Sequence, residues 1–307
     1  MKYPFPENKT LQGLTVAFIL IMLMLVSFWV VTTVFRLTLP LFFDVADANA
    51  FMLSTQDQIA NPMASLYMQM LLSPLGLFLL PALAFHYMFR IDIPARLKLR
   101  TAPSLKYWLV AIIVMMAAGV FIQLLVQLMQ QIHLPPKLQS LRASADLLQK
   151  LVDSFFTQRS PFHFVILTLC IAVLPACAEE IFFRGTVMNI LRDFSFTPVA
   201  AILISGFVFA VMHFEFDNVL GIWCMGIVLG MLYFYTDSLW VAITAHFFNN
   251  FSVVAGKYAF MSGSIHSDLT SSEALPLYYT IPAGIIMVGG LVILSKWSGK
   301  KVTALPN

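Results

Sequence analysis

Apolar residues run unbroken through eight stretches of the chain, at about 12–35, 64–89, 107–132, 161–182, 197–213, 218–236, 238–256 and 275–296. A hydrocarbon core of roughly 30 Å is crossed by about 20 helical residues, so these stretches have the length of membrane spans. Strands of a membrane barrel would alternate between lipid-facing and lumen-facing residues, and these stretches do not. A helix also satisfies its own backbone hydrogen bonds in lipid. The expected fold is all-α, a polytopic transmembrane helix bundle of about eight spans. One connection has a different pattern. Between Pro136 and Ser160, Leu138, Leu141, Ala145, Leu148, Val152 and Phe155 recur every three or four residues, with Arg142, Asp146, Lys150 and Asp153 between them. That period describes an amphipathic helix on the membrane surface, with a substrate gate as the sharper reading.

The composition agrees, with 60% hydrophobic and only 11% charged residues, against roughly 25% charged in a soluble domain. The first run follows the weakly basic MKYPFPENKT. It is too long for a signal-peptide core and is expected to be retained. With that amino terminus inside, twelve of the 18 lysines and arginines fall on inside segments, five of them between 90 and 106. The positive-inside rule then puts both termini in the cytoplasm, as a multi-pass protein of the cell (inner) membrane. The net charge of +3 follows from the same bias and gives no reason to expect nucleic acid as a partner. Cys170, Cys177 and Cys224 lie inside apolar runs, where they read as small buried hydrophobes. The organisation expected is helices plus the amphipathic segment over 1–160, a core carrying the chemistry over 161–256, and a last loop, span and basic tail over 257–307.

A charged side chain near the bilayer centre costs roughly 2.5 kcal/mol or more on insertion scales, so charges inside spans mark function. From residue 161 onward the polar residues in the spans are Glu179, Glu180, Arg184, His213, His246, Asn249 and Asn250, and the first half offers only His86. Glu180 and Arg184 are four apart in the favourable order and can pair. Glu179 is turned about 100° away and is left to face another helix. Phe209 sits one turn before His213. His246 shares a face with Asn250, and Asn249 points elsewhere. The segment DFSFTP reads as a turn between antiparallel helices midway between Glu179 and His213, which puts those two at one depth on neighbouring helices.

A carboxylate beside a histidine, in a hollow that admits water, can take a proton from that water and turn it on an amide carbonyl. A second histidine with an asparagine amide can donate to the oxyanion that develops. These are the parts of a hydrolase. Two other readings use the same residues. Glu179, His213 and His246 supply the carboxylate and two imidazoles of a catalytic zinc site, although the histidines lack H-E-x-x-H pairing and Arg184 brings a positive charge close. A non-catalytic binding or immunity protein would use the hollow to hold a peptide or lipid.

EEIFFR (179–184), FAVMH (209–213) and HFFNN (246–250) resemble, in order and spacing, the motifs EExxxR, FxxxH and HxxxN/B of the CPBP intramembrane proteases. That family includes the type II CAAX prenyl endopeptidases and bacterial relatives associated with bacteriocin self-immunity. The resemblance covers roughly 161–256 and carries nothing over to 1–160. It implies Glu179 as general base on water with His213 assisting, and His246 with Asn250 as oxyanion hole. It gives Glu180 and Arg184 a structural pairing and implies no catalytic metal or other cofactor. The partner implied is a peptide or protein substrate, lipidated or embedded in the membrane.

Phe209 reads as packing that shapes the wall of the hollow. His86, His133, His163 and His266 match no motif and read as structural or loop residues. Gly226 and Gly230 read as close helix packing, and Pro74, Pro81 and Pro175 as kinks, with Pro175 bending its helix so that the glutamates meet water. A conflict of depth remains. Straight spans put Glu179 near the cytoplasmic end of 161–182 and His213 at the outer end of 197–213. Either the fourth helix is longer and bent near Pro175, or the later topology is inverted.

Overall fold

The structure, a computed structural model, describes residues 3, 8–100, 102–132, 147, 149–157, 160–266 and 275–300. Its principal helices are α1 (Lys9–Phe42), α2 (Pro62–Met88), α3 (Leu105–Gln130), α4 (Pro161–Asp193), α5 (Pro198–Val211), α6 (Phe216–Thr236), α7 (Leu239–Met261) and α8 (Leu277–Ser298). Seven are long and apolar enough to cross a membrane, and α5 is a shorter apolar helix of 14 residues. No strand occurs among the described residues. The chain is a multi-pass integral membrane protein built as an all-α bundle.

The largest departure from the expected spans is α4, which runs 33 residues to Asp193 instead of stopping near 182. Hydropathy falls at Glu179, Glu180 and Arg184, but these side chains are buried and contact one another or α7, so the helix continues past them. Its start is fixed by Ser160, whose hydroxyl accepts from the His163 amide, and by Pro161 in the first turn. Two wide turns interrupt it, over Thr168–Val173 and Ile181–Val187, where the amides of Leu174 and Met188 reach back five residues to Leu169 and Phe183. Pro175 lies between them.

This length removes the conflict of depth. Asp193 ends α4 fourteen residues after Glu179, and Pro198 begins α5 fifteen residues before His213. At 1.5 Å per residue both lie about 21 to 23 Å from the turn that joins the helices. With the longer fourth helix the two residues lie a similar number of positions from that turn, and no inversion of the topology is required.

Polar contacts gather five segments on one face of the bundle. The Tyr3 hydroxyl donates to Asp193 (2.9 Å), Arg96 pairs with Asp193, and Lys98 and Lys300 both pair with Asp237. Trp240 Nε1 donates to the carbonyl of Leu99 (3.0 Å). The amino-terminal segment, the 89–104 loop, the α4–α5 turn, the α6–α7 turn and the end of α8 therefore meet there. The α6–α7 reversal takes only two residues because Asp237 adopts a left-handed conformation (φ 51°).

The amphipathic helix expected over 136–160 lies largely outside the described residues, as do His133 and the tail from Lys301. Its described part is helical over 149–154, and Leu151, Phe155 and Phe156 are buried against Leu66, Leu167 and Val254. That part packs against the bundle through these three side chains. Behind α4, Phe78 of α2 meets Phe182 and Phe183 at 5.4 and 5.3 Å between ring centroids. Phe183 meets Phe209 of α5 at 5.0 Å, edge to face. Between α5 and α6, a Cβ on Gly226 would lie 2.8 Å from Gly206 Cα, so the two backbones touch there.

Candidate active site

The motif residues come together from three helices. On α4, Glu180 is fully buried and Arg184 is 1% exposed. Arg184 Nη1 donates to Glu180 Oε1 at 2.7 Å, the pair expected one turn apart, and Nη2 donates to the carbonyl of Gly226 on α6 at 2.9 Å. Its guanidinium carbon lies 4.9 Å from the Phe209 ring centroid, a cation–π contact. The arginine thus joins three helices, and its charge is balanced inside the bundle.

Glu180 has a second partner that spacing could not reveal. His246 Nδ1 lies 2.8 Å from the same Oε1, so one carboxylate oxygen accepts from both Arg184 and His246. A carboxylate only accepts, so this contact puts the Nδ1 proton of His246 on the Glu180 side. His246 Nε2 then faces Glu179 Oε2 at 3.8 Å, beyond hydrogen-bond length. Among the described residues this is the only polar contact of Glu179, which is 7% exposed.

His213 is half-buried just past the end of α5. Its Nδ1 donates to the carbonyl of Phe209 at 2.7 Å, which leaves Nε2 as the acceptor nitrogen of a neutral ring. Its ring packs 4.5 Å from that of Phe209, and the Phe209 ring lies 6.1 Å from His246. Phe209 therefore packs against the rings of both histidines.

Asn250 reaches α4 from the other side. Its Nδ2 donates to the carbonyl of Ile171 at 3.4 Å. In an unbroken α-helix that carbonyl would bond the amide of residue 175, which is a proline and has no N–H. Asn249 does not point away from this group: its Nδ2 donates to Asn250 Oδ1 at 3.2 Å. Neither Gly226 nor Asn249 carries a sequence signal for these contacts, because each depends on a residue in another helix or on a backbone atom.

The hollow itself departs from the expected picture. A cavity of about 590 Å³ lies between the second halves of α3 and α7 and the loop before α6, lined by Gln123, Asp153, Glu215, Asn249, Ser252 and Lys257 among others. Glu179, His213, His246 and Asn250 do not line it, and its link to them is Asn249. Among the described residues no three His, Cys, Asp or Glu side chains are grouped as metal ligands.

Neither the curated proteins nor the solved structures contain a match to this chain. Residues 161–252, which hold Glu179, Glu180, Arg184, His213, His246 and Asn250, match the family model described as type II CAAX prenyl endopeptidase Rce1-like, in agreement with the resemblance of the three motifs.

Proposed function

We propose that the protein is an intramembrane endopeptidase in which Glu179 activates a water molecule for attack on a peptide bond. The observation that carries this is the difference between two adjacent carboxylates. Glu180 is committed to Arg184 and His246, whereas Glu179 faces His246 across 3.8 Å. A separation of that size suits a bridging water. In the reaction the water's proton passes to Glu179, its oxygen bonds the carbonyl carbon, and the carbonyl oxygen becomes the oxyanion. The proton then moves to the leaving amine as the C–N bond breaks, so one water is added across the amide and Glu179 is restored.

His213 offers Nε2 as a second acceptor for the water. The oxyanion receives hydrogen bonds from Asn250 Nδ2 and from His246 Nε2, the latter as the doubly protonated ring, because Nδ1–H is already on Glu180. No step uses a metal. The substrate class proposed is a peptide or protein segment presented at or within the membrane, of which the CAAX tail in the family's description is one form. The meeting of five basic or linking segments on one face supports a cell-membrane orientation with both termini cytoplasmic.

The test is cleavage of an internally quenched farnesylated peptide with a CAAX ending, and of its unprenylated twin, by detergent-purified protein. Wild type is expected to cleave with or without 1,10-phenanthroline, and Glu179→Ala to lose about 10²–10⁴ in kcat, the usual weight of a general base. Equal cleavage by wild type and Glu179→Ala removes the mechanism. Loss with chelator and recovery with zinc replaces it by the metal reading. Failure of wild type to cleave either peptide, with the peptide still bound by both wild type and Glu179→Ala, replaces it by a binding protein.

A further inference from the structure

Asparagine side chains can sit in either of two amide orientations, and an oxyanion donor works only in one. Asn250 bridges two polar atoms. On one side is the carbonyl of Ile171, which can only accept, so the NH₂ of Asn250 must face it. The Oδ1 of Asn250 then faces Asn249, which must present its own NH₂, as it does at 3.2 Å. Asn249 is held in turn. Its Oδ1 lies against α3, where a Cβ added to Gly119 would come within 3.0 Å, and its Nδ2 also lies 3.8 Å from the sulfur of Met225. Asn249, unlike Asn250, lines the polar cavity of about 590 Å³.

We infer that Asn249 is a positioning residue for the reaction: by donating to Asn250 Oδ1 it locks the Asn250 amide with its second N–H available to the oxyanion, and it couples that amide to the polar cavity. This rests on the reading of Asn250 as an oxyanion donor. The chain of contacts runs from the cavity through Asn249 and Asn250 to the carbonyl of Ile171, the atom that Pro175 leaves without its α-helical donor. A proline four residues before Glu179 thus supplies the acceptor that sets the amide opposite Glu179's own helix. Reversing Asn250 would turn a carbonyl oxygen toward the developing oxyanion, a repulsive contact in place of a donor.

Asn249→Asp separates hydrogen bonding from packing, because it keeps the size of the side chain and removes its donor. In the quenched-peptide assay it is expected to lower kcat about 10²-fold with KM changed less than twofold, in line with loss of one oxyanion donor. Asn250→Ala should lose as much, and Asn249→Asp with Asn250→Ala should lose no more than Asn250→Ala alone, since both act through one amide. Multiplying losses, or Asn249→Asp turnover within twofold of wild type, would overturn the inference. If Asn250→Ala itself keeps wild-type turnover, the oxyanion reading has failed instead. A second measurement stands apart from turnover: in ¹⁵N-asparagine-labelled protein in detergent, the Asn250 side-chain NH₂ pair, assigned by its loss in Asn250→Ala, should shift or split in Asn249→Asp. An unmoved pair overturns the coupling whatever the peptide assay gives.

Discussion

At the scale of single residues, the two neighbouring glutamates should fail in different ways. Glu180 is fully buried and its Oε1 holds both Arg184 and His246. Neutralising it leaves Arg184 as a buried charge without its carboxylate, and breaking a buried pair this way costs about 3–5 kcal/mol. Glu180→Gln should therefore lower both the thermal midpoint in detergent and the activity. Glu179 holds no such partner, so Glu179→Gln should remove activity and leave the midpoint within a few degrees of wild type. Thermal unfolding of both variants, read beside cleavage, decides the matter. A Glu179→Gln protein as unstable as Glu180→Gln would mean that the two carboxylates share one structural role. The sequence made half of this contrast legible. The four-residue step from Glu180 to Arg184 is a local fact, and it correctly left Glu179 outside the pair. The bond from Glu180 to His246 spans 66 positions, and no periodicity within one helix reports on it.

At the scale of elements, the apolar runs located the eight principal helices because continuous hydrocarbon is the one signal that lipid demands. What they misjudged was α4, since hydropathy records the cost of an isolated charge and not the relief of a paired one. The depth argument from the DFSFTP turn counted residues along two helices, so it did not depend on where the hydrophobic stretch ended. Gly226 shows a similar limit. Its spacing with Gly230 reads as ordinary close packing, yet its carbonyl is also the seat of Arg184 Nη2. A Cβ at Gly226 would meet Gly206 Cα at 2.8 Å and its carbonyl oxygen at 3.0 Å, both backbone atoms that cannot rotate away. Gly226→Ala should push α5 from α6, cost about 1–3 kcal/mol as overpacking does, and disturb Arg184 and Phe209 together. Gly289→Ala is the control, because nothing lies within 4 Å of its added Cβ. Circular dichroism melts in detergent should separate the two. Equal midpoints would mean that α5 and α6 are not packed backbone to backbone.

At the scale of the whole molecule, the bundle is tied on one face by charges that sit in the turns, and these ties make its stability depend on pH. Partial burial alone would push the Asp237 carboxyl upward, but hydrogen bonds from Lys300 and Lys98, and the charges of both, outweigh it and hold Asp237 below the usual carboxylate range. A carboxylate with a depressed folded-state value favours the folded protein above its unfolded pKa of about 3.9. That contribution is lost as pH falls through the lower folded value, because the unfolded chain then binds the proton more readily. The Lys98 value is also lowered, by burial that outweighs its pairing with Asp237, but its titration belongs to the alkaline limb and does not shape the acid one. Asp237→Asn should therefore melt lower than wild type at neutral pH, and the difference should shrink as the buffer is taken below about pH 4. Because Asp237 is partly exposed, added salt should also reduce the difference. The residue lies at the α6–α7 turn, about 11 Å along α7 from His246 at 1.5 Å per residue. Loosening it should lower the midpoint without abolishing cleavage by protein that remains folded. A constant gap between the two melting curves from neutral to acid pH would show that Asp237 is not paired, and that the carboxy-terminal end of α8 is not held at this turn.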